Sequence, residues 1–135
     1  MRPKTSKFTT ATKPWAGFTL IELMVVLAII STLLLLVTPR YFDQLEAAKE
    51  TVLRDNLRTT REVIDKFYGD TGRYPESLGE LVEKKYLRSI PIDPLTDSNN
   101  TWQVVPVPTG YTGALYDIRS GHTGNARDGK PYAQW

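Results

Sequence analysis

Few residues of this chain have types and spacing suited to chemistry, and the first such set lies near its start. Gly17 and Phe18 mark a sharp boundary. Before it stands a short basic leader. After it comes a run of twenty residues, Phe18–Val37 (FTLIELMVVLAIISTLLLLV), whose single charged side chain is Glu22. An ionised carboxylate is poorly tolerated in hydrocarbon unless it is paired or held near the interface. The small residues Ala16 and Gly17 precede the apolar run, and no small-residue cleavage site follows it. A cut after Gly17 therefore removes the leader and leaves the apolar segment on the mature chain, the reverse of what happens to a secretory signal.

Catalytic chemistry is hard to assemble from the rest. His122 is the single histidine, in a loop with no thiol beside it, and it is expected to be exposed and idle. Serine and aspartate are plentiful, but no nucleophile elbow, HExxH or phosphate loop occurs, so the chain is expected not to be an enzyme. The chain has no cysteine, so no disulfide staples it. The net charge of +2 comes from the leader. Arg2, Lys4, Lys7 and Lys13 have no acidic neighbour there, and without these four the count is 13 basic against 15 acidic residues, a net of −2. Nucleic-acid binding thus loses its compositional support.

The elements that must position these residues follow from periodicity. Twenty apolar residues at about 1.5 Å each are enough to cross a bilayer core of about 30 Å. The positive-inside rule then keeps the leader in the cytoplasm and sends the C-terminal part across the membrane. Beyond the apolar run the helical pattern continues to about Tyr68, with Pro39 as its one proline, expected to bend it. Leu53, Leu57, Ile64 and Tyr68 fall on one stripe, while Glu50/Arg54 and Glu62/Lys66 are i,i+4 pairs on the other side. Arg54, Arg58 and Arg61 form a basic patch interspersed with acids, suited to a salt-bridge face between subunits.

Gly69 and Gly72 are expected to end this helix. Ser77 and Glu80 make a capping-box signature for a short helix to about Tyr86. Two strand-like runs, Thr101–Val107 and Gly113–Arg119, suggest an antiparallel hairpin, and residues 120–130 read as loop. Trp102 and Trp135 are expected to pack the head. The expected architecture is α+β. A leader occupies residues 1–17, a transmembrane helix 18–40, its amphipathic continuation 41–70 and a small head 71–135. Such a head has too little core to stand without the stripe of the long helix as its second layer.

The stretch GFTLIELMVVLAII after a short basic leader, with Pro39 downstream, resembles the N-terminal signature of type IV pilins and type II secretion pseudopilins. The later segment YPESLGELVEKKYLRSIPIDP resembles the G-type major pseudopilin. The resemblance implies cleavage between Gly17 and Phe18 by a prepilin peptidase and methylation of the new Phe18 amine. It also implies that Glu22 pairs with the Phe18 amine of an adjacent subunit, that Pro39 shapes the assembly helix, and that the subunits form a helical fibre. Partners would be the peptidase, other pseudopilins, the inner-membrane assembly platform and the membrane itself. The location would be the bacterial inner membrane, with the head in the periplasm. The last loop, YDIRSG…DG, resembles a calcium-binding loop of that family, with Asp117, Ser120 and Asp128 as ligands. Calcium rests on that resemblance, since no EF-hand pattern is present and three side chains fall short of its six to eight oxygens. The nearest alternative is a type IV pilin or minor pilin of a surface pilus, serving adhesion, motility or DNA uptake. A single-pass membrane enzyme or binding protein is the distant one.

Overall fold

The long helix α1, Leu20–Thr71, begins two residues later than the apolar run because Thr19 caps it. The Thr19 hydroxyl accepts the backbone N–H of Glu22 at 3.2 Å, and its carbonyl accepts that of Leu23 at 3.2 Å. The computed structural model describes residues 1–4, 10, 12–13 and 16–135; Lys7 and Trp15 of the leader lie outside the described residues. The chain divides into two units, Met1–Pro39 and Arg40–Trp135.

In the first unit the helix is apolar on every side, and none of its most apolar stretch is buried. Its three hydroxyls are satisfied within the helix. Ser31 donates to the Leu27 carbonyl at 2.7 Å, Thr32 to Ala28 at 2.9 Å and Thr38 to Leu34 at 2.6 Å. In lipid, where water cannot serve as partner, this is how a polar side chain is accommodated. The helix runs through Pro39.

In the second unit α1 presents Leu53, Leu57, Thr60, Ile64 and Phe67 as its buried row, at alternating steps of four and three. The row differs from the expected stripe at its end: Phe67 is fully buried, and Tyr68 lies half-buried beside it. Thr60 is tolerated in the row because its hydroxyl bonds the Asn56 carbonyl at 2.8 Å. Gly72, not Gly69, ends the helix. Its φ of +72° is one a β-carbon disfavours, and its N–H bonds the Tyr68 carbonyl at 2.8 Å.

Helix α2, Leu78–Glu83, is capped by Ser77, whose hydroxyl accepts from the Glu80 N–H at 3.2 Å. Glu80 reaches back to the N–H of Glu76 at 2.8 Å and pairs with Arg73. The Arg73 guanidinium, followed by that backbone N–H, holds the Glu80 carboxyl down to about 2. The helix stops three residues short of Tyr86. Lys85 takes a φ of +63°, and the Leu81 carbonyl accepts from both Tyr86 and Leu87.

Strands β1 (Gln103–Val105) and β2 (Asp117–Arg119) pair antiparallel, with Val104 opposite Ile118. Both are shorter than the expected runs. Pro106 and Pro108 have no N–H to continue the ladder. The start of the second run bonds elsewhere: Leu115 donates to Pro75 at 2.8 Å, and the Thr112 carbonyl accepts from Tyr74 at 2.8 Å. Gly113, at φ +115°, makes this crossing possible, because a β-carbon there would sit 2.3 Å from the Tyr74 oxygen. A single 3-10 turn, Tyr132–Gln134, closes the unit. The architecture is α+β, as expected. Its core joins the α1 row to Tyr74, Leu78, Leu81, Trp102, Leu115, Ile118, Ala126 and Tyr132.

The core is thin, so each of its members matters. Leu53 has no exposed surface and Val52 is about half exposed, at 49%. Leu53→Ala is expected to lower stability by about 2–5 kcal/mol. Val52→Ala should change it by no more than about 0.5 kcal/mol. Thermal and denaturant unfolding of the full chain in detergent, followed by tryptophan fluorescence, checks the contrast.

Candidate functional site: the helix entrance and the C-terminal loop

Two places hold the residues singled out by their chemistry, one in each unit. In the first, Gly17 and Phe18 lie in irregular backbone just before α1, and Phe18 is exposed. A β-carbon built on Gly17 would meet nothing within 4 Å, so the fold itself makes no demand for glycine there. Glu22 is exposed in the first turn of α1. At that position the free N–H groups of the helix favour a negative charge. The arrangement leaves a chain segment free of helix directly before a carboxylate in the first turn of α1.

In the second unit the three candidate calcium ligands have different partners. Asp117 Oδ1 accepts from Arg61 Nε at 2.7 Å and from the N–H of Ile118 at 2.7 Å. Ser120 is fully buried and donates to Asp93 Oδ2 at 2.5 Å. Asp128 is exposed and shapes a turn by accepting the N–H of Lys130 at 3.0 Å. Among the described residues no group of three or more His, Cys, Asp or Glu side chains is gathered for a metal. As arranged, the three side chains are not the donor set of a calcium site, which needs several converging oxygens.

Other residues hold this loop. Asp93, fully buried, accepts from Ser120 and from the N–H of Leu95 at 2.9 Å, which satisfies both its oxygens. Glu50 is not paired with Arg54. Its Oε1 accepts from the Arg127 N–H at 2.7 Å and the Tyr132 hydroxyl at 3.0 Å. Lys66 is turned to Asp70 at 3.9 Å instead of Glu62. The arginine patch is largely used within the chain as well. Arg54 stacks over Trp135 at 4.2 Å, Arg58 pairs with Asp55 at 2.7 Å, and Arg61 reaches Asp117. His122 is half-buried, not exposed: Nδ1 accepts from the Gly124 N–H at 2.9 Å, and its ring meets Tyr132 edge-on. Trp102 packs in the core and donates to the Pro91 carbonyl at 2.7 Å.

Sequence reasoning missed Arg61, Glu50 and Asp93 in these roles. A signal existed for Arg61: it stands four residues after Leu57 and three before Ile64, on the edge of the buried row.

Comparison with known proteins finds relatives for this chain. Residues 16–38, which hold Gly17, Phe18 and Glu22, match the prokaryotic N-terminal methylation motif. The chain is also similar to the type II secretion system core protein G of Pseudomonas aeruginosa, with 28% identity over 89% of this chain and 94% of that protein. The protein of the same name from Dickeya chrysanthemi is 32% identical over 58% of this chain and 61% of its own length. That from Xanthomonas campestris is 31% identical over 50% and 47%. These similarities agree with the resemblance that the sequence motifs carry. No solved structure matches the chain.

Burial, then the bond to Glu50, pushes the Tyr132 hydroxyl up to about 12 from its ordinary 10.0. A raised folded value means that the contribution is present in full below pH 10 and is lost as pH rises through 12. Tyr132→Phe should flatten that part of the alkaline stability curve, measured as the melting temperature of both proteins across that range.

Proposed function

We propose that the chain is a structural subunit of a type II secretion pseudopilus. It is processed by a prepilin peptidase and assembles with other pseudopilins into a fibre that supports protein export across the outer membrane. The observation that carries the reading is the entrance to α1. A methylation motif covers residues 16–38, and it opens on a glycine that the fold does not need and a carboxylate within the first helical turn. The likeness to core protein G over 89% of the chain favours secretion over a surface pilus.

Each part of the site then has work to do. The peptidase takes the bond between Gly17 and Phe18 and methylates the freed amine. The apolar half of α1 holds the subunit in the inner membrane until assembly. The basic leader keeps the N-terminus in the cytoplasm, and the head lies in the periplasm against the assembly platform. Glu22, desolvated among neighbouring helices, is compensated by the Phe18 ammonium of an adjacent copy. An offset by one position would strand both charges, so the pair also sets register. The role is mechanical, that of a protomer and not of an enzyme.

Gly17→Val fills the space that the peptidase needs and leaves the fold unstrained. In cells that carry the peptidase, the variant should keep its leader, while the unaltered chain yields a protein that starts at a methylated Phe18. Mass spectrometry of the membrane-extracted chains reads both; a Gly17→Val chain processed like the parent contradicts the reading.

A further inference from the structure

Several side chains of the long helix hold the C-terminal loop, and Arg61 does so as a cation. Arg61 Nε donates to Asp117 Oδ1 at 2.7 Å, and its terminal nitrogen donates to the Ile118 carbonyl at 3.3 Å and the main-chain oxygen of Trp135 at 2.8 Å. One guanidinium thus gathers a carboxylate and two main-chain oxygens from segments up to 74 residues away from it. All three acceptors are oxygens drawn to one partly buried positive charge, fewer than the six to eight that a calcium ion collects. Arginine suits the task because its charge is permanent and its donors are fixed in a plane. Leu57 and Ile64, both buried, hold the helix one turn to either side of Arg61.

The surroundings point the same way. The groove beside this clamp is lined by Arg54, Arg58, Asp128, Lys130 and Trp135, a predominantly positive wall that opposes a second cation. The Arg61 guanidinium already neutralises the Asp117 carboxylate, whose Oδ1 also accepts from the Ile118 N–H. Ser120 faces inward to Asp93 and is no ligand for anything at the groove. We infer that Arg61 is a built-in replacement for calcium at Asp117, so the C-terminal loop of this chain folds without a divalent metal. This rests on the geometry of the second unit alone and stands apart from the secretion reading.

The test is thermal unfolding of the full chain in detergent, in millimolar calcium and in chelator. A ligand that binds only the folded state must raise the melting temperature in proportion to its occupancy. The expected result is one melting temperature in both conditions for the unaltered chain. Arg61→Ala should melt about 4 °C or more lower. Arg61→Lys should also melt lower, because a single ammonium cannot reach three oxygens in the same fork. A calcium-dependent rise in the unaltered chain that Asp117→Asn abolishes would overturn the inference, and so would an Arg61→Ala chain as stable as the parent. If Arg61→Ala does not fold, the calcium comparison on the unaltered chain decides, since it involves no substitution.

Discussion

An apolar helix exposed on every face is the constraint from which the rest of this structure follows. Between Phe18 and Val37 the side chains are exposed on every face, and every hydroxyl in that stretch of α1 is turned back onto the helix. Such a segment has two lawful environments, lipid and other helices of the same kind. Glu22 distinguishes them. In lipid it is tolerated only near the interface, whereas among helices it gains from an amine placed against it. On the proposed reading, the carboxylate would make the second environment specific without closing off the first.

The head meets the opposite problem, too little apolar surface to hold together unaided. Its two strands have three residues each, and its short helix has six. Regular main-chain bonding is replaced by side chains that reach across long stretches of sequence. Arg61 gathers the two ends of the C-terminal loop, Glu50 takes an amide and a hydroxyl from it, and Asp93 holds Ser120. Arg73 and Glu80 do the same for the turn after α1. Buried networks of this sort rigidify a fold when every member is satisfied, and no buried side-chain nitrogen or oxygen among the described residues lacks a partner.

What was legible in the sequence is what local periodicity controls. The apolar run, the row at Leu53, Leu57 and Ile64, the Ser77 cap and the pairing of the two strand-like runs all follow from spacing and propensity. The misses share a cause. Helical spacing pairs Glu50 with Arg54, but Glu50 instead bonds Arg127 and Tyr132 far along the chain, and Lys66 has two acids at helical spacing, of which it takes Asp70 and not Glu62. Tyr68 was placed in the row where Phe67 lies, since a hydroxyl-bearing ring and an apolar one look alike to a periodic pattern. The strands shrank because prolines and a crossing by Gly113 took their bonds. Arg61 looked like one member of a surface patch, because its partners stand 56 and more residues away and only folding brings them near.

The central claim is that Glu22 is an assembly contact and not a stray charge. Cryo-electron microscopy of fibres made from the processed chain measures it most directly. The account predicts the Glu22 carboxylate within ion-pair distance, about 4 Å, of the Phe18 amine of a neighbouring copy at every interface. Fibres in which Glu22 faces water, with each Phe18 amine paired elsewhere, would contradict it.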